Sequence, residues 1–195
     1  MMMKPDSGGK RMSKTAVIYQ SKYGSTKKYA QWIAGELSCD LLERKGIESA
    51  ALAPYDTLIY GGGLYAGGVS GIDLLTKYVD LLGNKNLVLF TCGLADPADK
   101  KNTDHIKESL SKVIPAGLRE KIKVFHLRGA IDYSSLGIVH KAMMAMLYRR
   151  MKKKDPGSLR AEDKEMLATY GKAADFTEKE TILPLIGYVR GLARD

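Results

Sequence analysis

Short apolar runs alternate along the chain with longer stretches in which apolar residues recur every three or four positions. Thr15-Ala-Val-Ile-Tyr19 is apolar and β-branched, as expected of a strand buried on both faces. The polar segment Gln20–Thr26 follows. Lys27–Leu37 then carries Tyr29, Ala30, Ile33, Ala34 and Leu37 at helical spacing. Cys39–Glu43 predicts a brief second strand, and residues 45–54 an irregular connection. Thr57–Tyr60 predicts a third strand that ends in the glycine-rich stretch Gly61–Gly68. A helix is expected over 70–82, a fourth strand over Asn86–Thr91, and a loop over Cys92–Asp99. A helix over Thr103–Val113 and a fifth strand over Lys123–Leu127 complete the alternation.

Strands alternating with helices predict an α/β fold with a parallel sheet, right-handed crossovers and helices on both faces. One helix after the fifth strand would close such a sandwich. This chain carries three helical stretches there, at about 136–154, 161–173 and 178–193, so one of them is an addition. The 195 residues suit one domain, expected over 14–195. Residues 1–13 are polar, contain Gly8-Gly9 and read as a disordered lead-in without the apolar centre of a signal peptide.

Composition narrows the functional classes. Cys39 and Cys92 are too few for a disulfide framework or a zinc site, and the cytoplasm is the expected compartment. His105, His126 and His140 lack metal-ligand spacing, so no metal site is expected and each reads as a surface or packing residue. The net charge of +9 suits nucleic acid, an anionic membrane or an acidic ligand. No helix-turn-helix, zinc or RNA-binding signature accompanies it, which argues against nucleic acid. Residues 137–160 hold seven Lys/Arg and one Asp, a net +6, so most of the excess lies in one segment.

That segment includes the most unusual helix, 136–154. Val139, Ala142, Met143, Met144, Ala145, Met146, Leu147 and Met151 are apolar, and Arg149, Arg150 and Lys152-Lys-Lys154 follow. The pattern suits an interfacial helix at the inner face of an anionic membrane, and equally a core helix with a solvated basic end.

Ligands of open parallel sheets bind beyond the carboxyl ends of the strands. Three loops fall there. In Ser21-Lys-Tyr-Gly-Ser-Thr26, hydroxyls, Gly24 and a helix N-terminus make a cradle for a phosphate. The alternative is a plain turn in which Ser25 or Thr26 caps the helix. The second loop, Gly61–Gly68, contains Gly61-x-Gly63-x-x-Ala66, a weak match to the dinucleotide fingerprint. It lies outside the first βα unit, and the acid nearest the required spacing, Asp80, falls inside a helix. The third loop is Thr91–Asp96, where Cys92 reads as inward packing.

Ala16-Val-Ile-Tyr-Gln-Ser-Lys-Tyr-Gly-Ser-Thr26 resembles the FMN-phosphate loop of flavodoxins, with Tyr23 in place of the usual Ser or Thr. The resemblance implies a flavodoxin-like doubly wound five-stranded parallel sheet, order 2-1-3-4-5, with an extra helical insertion after strand five. It implies FMN as cofactor, with Ser21, Tyr23, Gly24, Ser25 and Thr26 at the phosphate. Gly62, Gly63, Leu64, Tyr65 and Ala66 would cover one face of the flavin ring. Thr91, Cys92, Gly93, Leu94 and Asp96 would form the other wall. Arg128-Gly-Ala-Ile-Asp-Tyr133 and the apolar-basic helix after it are similar to the menaquinone-dependent protoporphyrinogen dehydrogenase group within the flavodoxin-like proteins. That likeness implies an oxidoreductase taking electrons from protoporphyrinogen IX and passing them to a quinone for haem synthesis. It also implies contact with the membrane through helix 136–154. The broader flavodoxin resemblance implies instead an electron carrier with a protein redox partner.

Overall fold

The computed structural model describes residues 13–65 and 67–192, with the side chains of 161 and 162 excepted. The expected lead-in, save residue 13, lies outside the described residues, as does Ala66. In chain order the elements are β1 (Thr15–Gln20), α1 (Ser25–Leu37), β2 (Asp40–Glu43), α2 (Ser49–Leu52), β3 (Thr57–Tyr65), β4 (Gly68–Val69), α3 (Asp73–Lys77) and α4 (Val79–Leu82). Then come β5 (Asn86–Gly93), α5 (Lys100–Val113), α6 (Ala116–Arg119), β6 (Ile122–Arg128), β7 (Ala130–Asp132), α7 (Ile138–Lys152), α8 (Ala161–Thr169), β8 (Ala173–Asp175) and α9 (Leu183–Leu192).

The main sheet runs β2-β1-β3-β5-β6, all parallel, with β4 antiparallel to the end of β3. This is the doubly wound, flavodoxin-like order expected from the sequence. Alternate residues of each strand feed two cores. Ala16, Ile18, Leu58, Tyr60, Leu87 and Leu89 pack on one side against α2 to α5. Val17, Tyr19, Ile59, Val88 and Phe90 pack on the other against α1 and α9.

The glycine-rich stretch departs from the expected loop. β3 continues through it to Tyr65, because Gly61, Gly62 and Gly63 stay in register with Phe90, Thr91 and Cys92 of β5. A Cβ at position 61 would lie 2.1 Å from Phe90 Cζ, so only glycine lets the ring fill the core there. The expected helix over 70–82 is interrupted at Tyr78, which leaves helical geometry (φ −115°, ψ 32°) while its hydroxyl donates to the Ile47 carbonyl at 3.4 Å.

The insertion between β6 and α9 is more than helical. β7 and β8 pair antiparallel, Ala130 opposite Asp175, and hold α7 and α8 between them. The expected helix over 161–173 therefore stops at Thr169. Gly171, at φ +81°, turns the chain into β8. The segment expected as a helix from 178 starts with a 3-10 turn, Lys179–Ile182. Ile131, Tyr133 and Leu136 form a small third core with Tyr23, Leu94, Met144, Tyr170 and Ala174. Lys28 clamps the insertion to α1 through Asp175 (3.0 Å) and Thr177 (2.7 Å).

Gly61→Ala should lower stability by about 1–3 kcal/mol, the usual cost of overpacking a core. Adding Phe90→Leu should recover part of that loss. Urea midpoints measure both, and an unchanged midpoint for Gly61→Ala would show that the ring yields freely.

Candidate functional site

β1 ends at Gln20, and the chain turns through Ser21–Gly24 into α1. Gly24 is the N-cap at φ +97°, a conformation that disfavours any side chain with a Cβ, and no side chain caps the helix. The first N–H groups of a helix lack intrahelical partners, so this end keeps its donors and positive partial charge for a ligand. The capping alternative fails. Ser25 Oγ instead accepts from the Ala130 N–H at 2.9 Å, and the Thr26 hydroxyl is buried against the Cys92 thiol. Ser21 Oγ accepts from the Gly24 N–H at 3.1 Å and fixes the turn.

The ends of β3 and β5 lie beside this loop. A Cβ at Gly63 would meet the Tyr65 ring at 2.8 Å, so the ring folds back over its own strand. Its hydroxyl rests against the backbone N–H groups of Lys22 and Tyr23, while burial pushes the phenol pKa up. Leu64 lies over Gly93, where a Cβ would be 2.7 Å from Leu64 Cδ1. Burial raises the Cys92 thiol to about 12, so it packs as a neutral group and is no nucleophile near neutral pH.

Tyr23, Ser25, Thr26, Leu64, Tyr65, Cys92, Gly93 and Leu94 share one cavity of about 140 Å³. The other expected residues lie around it. Ser21 and Gly24 shape the loop, and Gly62 and Gly63 lie within the sheet. Thr91 is sealed in β5, its hydroxyl bonded to His126 Nδ1 at 2.8 Å. Asp96 points into its own turn, accepting from the Ala98 N–H at 2.9 Å.

The insertion supplies the roof. Gly129, Ala130, Ile131, Leu136, His140, Met143 and Met144 complete the lining. His140, expected as a scattered surface or packing histidine, is central to it. Its Nδ1 is 2.6 Å from the Tyr23 hydroxyl, and its ring stacks on Tyr65 at 5.4 Å and 9°. The Gly137 N–H also donates to the Tyr23 hydroxyl, at 3.4 Å. The signal was present as spacing: positions 140, 143, 144, 147 and 151 lie on one helical face. Among the described residues no group of His, Cys, Asp or Glu could hold a metal ion.

A parallel sheet in this order, with an uncapped first helix facing a cavity at the strand ends, prompts comparison with known families. The family model described as "Flavodoxin domain" matches residues 16–158. The chain belongs to the flavodoxin-domain family. No curated protein matches it. Among solved structures it is similar to a flavodoxin, WrbA-like protein from Agrobacterium tumefaciens, at 26% identity over 51% of this chain and 73% of that one, with a TM-score of 0.41. It is also similar to oxidised Flavodoxin 2 from Bacillus cereus, at 20% identity over 60% and 86% of the two chains, with a TM-score of 0.37. The family match ends at residue 158, so α8 and β8 lie outside it.

The half-buried His126 beside Thr91 gives the sheet a pH signature. Desolvation, helped by Lys107, holds its pKa below the usual histidine value. The unfolded chain therefore takes up the proton first as pH falls, and stability drops from about pH 6.5 downward. Urea midpoints at pH 7.5 and 5.5 should differ more for the wild type than for His126→Asn. Equal differences would contradict the assignment.

Proposed function

We propose that this flavodoxin-domain chain binds FMN in the crevice and exchanges electrons with a small molecule through it. The observation that carries the reading is the N-terminus of α1, capped by Gly24 alone and opening beside Tyr65 and Leu94. Helix N–H groups and the Ser21, Ser25 and Thr26 hydroxyls suit a phosphate. Tyr65 on one side and Leu94 on the other suit a flat ring. FMN, when bound, supplies the electron transfer; the protein places and shields it.

The fit is better at the phosphate end than at the ring end. A cavity of about 150 Å³ holds benzene, and the space here is about 140 Å³. Seating three fused rings requires Tyr65 to leave the loop's N–H groups and His140 to leave Tyr65. The first is a movement of the side chain at the end of β3, the second of a side chain on α7.

The roof favours an enzyme over a carrier. His140, Met143 and Met144 cover the side from which a protein partner would approach the ring. The finer reading is oxidation of protoporphyrinogen IX with a quinone as acceptor. It is supported by the apolar, methionine-rich underside of α7, which suits bulky ring compounds, and by the basic surface around it, which suits propionates. The alternative is a flavodoxin-type carrier whose partner docks after the roof lifts. Anaerobic turnover of protoporphyrinogen IX by flavin-loaded protein with a quinone separates them. Turnover supports the enzyme, and its absence with rapid reduction by a protein reductase supports the carrier.

Gly24→Val should weaken FMN binding at least tenfold, because a β-branched residue at positive φ costs about 1–3 kcal/mol and pulls the loop out of shape. Flavin fluorescence quenching gives the affinity and a urea midpoint checks folding. Unchanged affinity would move the phosphate elsewhere.

A further inference from the structure

Helices α7 and α8 do not close on each other as a core. Met144, Leu147 and Met151 recur on one side of α7 and share a lining with Met166 and Thr169 of α8. No residue of α7 is buried. The packing leaves a second cavity, of about 230 Å³, separate from the crevice. Leu94, Ile131 and Met144 line both, so they form the wall between the two spaces. Its far side, from α8 and Phe176, lies beyond the family match, so this cavity is not given by the flavodoxin domain.

The charged groups of the lining differ in how firmly they are held. Asp163 is 2% exposed and accepts from the Arg160 N–H at 3.2 Å and from Lys154 Nζ at 3.4 Å. Arg160 lies between Asp163 and Asp99. The Arg128 guanidinium lies 3.9 Å over the Phe176 ring, donates from Nε to the Leu94 carbonyl at 3.1 Å, and pairs through its other end with Glu165. The first two contacts hold Arg128 in place without Glu165. Glu165 has no such support from the cavity and is 39% exposed, so its carboxylate can turn to water at little cost.

We propose that this second cavity binds a small amphiphilic monocarboxylate, whose carboxylate replaces Glu165 on Arg128 and whose apolar body lies among Met144, Met151 and Met166. The exchange of one carboxylate for another leaves the local charge unchanged. A neutral head would leave the half-buried guanidinium without its anion, and a cationic head would lie against it. The methionines re-pack around a flexible apolar chain. Since a cavity of about 150 Å³ holds benzene, this one has room for about nine non-hydrogen atoms; octanoate is close to that size. Filling the void restores the dispersion contacts that its lining lacks. The inference is independent of the flavin reading, because binding is measured on the chain without flavin.

The test is isothermal titration of the full chain with octanoate, 1-octanol and octylammonium, which share one apolar chain and differ in the head. One octanoate should bind per chain, with the alcohol and the amine at least tenfold weaker. E165Q, which removes the competing charge, should bind octanoate about tenfold more tightly. M166W, which fills the cavity and leaves the crevice lining intact, should abolish octanoate binding. Circular dichroism and a urea midpoint check that both variants fold. Octanoate that does not saturate, or binds no better than the alcohol, overturns the inference. So does unchanged binding by folded M166W, which would put the ligand elsewhere, or weaker binding by E165Q.

Discussion

Phe90 fills the space that a side chain at position 61 would need, and the whole functional end of the molecule follows from that contact. With glycine opposite the ring, β3 and β5 stay in register to their last residues, Gly63 beside Cys92. β1 is held in the same plane, with Gln20 opposite Gly62. Three strands thus end together, and the segments leaving them converge on one crevice. A bulkier residue at 61 would part β3 from β5, and the loop at Ser21–Gly24 would lose the wall that Tyr65 and Leu64 form.

The insertion is tied to that crevice rather than simply attached to the domain. Ser25 at the start of α1 accepts from Ala130 of β7. Tyr23 in the loop bonds to His140 on α7. Lys28 holds Asp175 of β8. Together these contacts join the first loop and the start of α1 to the insertion. Tyr65 belongs to both: its hydroxyl rests on the loop and its ring on His140. Exchanging Tyr65 for a ligand would free the roof and the loop in one movement.

Much of this was legible in the chain itself. Strands buried on both faces announce themselves as continuous apolar runs, and β1, β5 and β6 lie within two residues of the bounds those runs predict. The first loop was legible because Gly24 and its neighbouring hydroxyls carry local chemistry. Other features depend on partners distant in sequence. Nothing near Gly61 reveals that Phe90 lies 2.1 Å from its missing Cβ, so a strand read as a loop. Ala130 pairs with Asp175 across 45 residues, and so short a ladder leaves no periodicity to detect. His140 looked isolated because its partners, Tyr23 and Tyr65, come from other loops.

The loop at 21–26 is proposed to hold the phosphate of a flavin nucleotide. Titration of the purified chain with FMN and, separately, with riboflavin isolates that phosphate, since the two ligands share the ring system. The account predicts one FMN per chain and at least tenfold weaker binding of riboflavin, the loss expected when charge-assisted bonds of about 1.5–3 kcal/mol are removed. Equal affinity for the two, or no uptake of either, would contradict it.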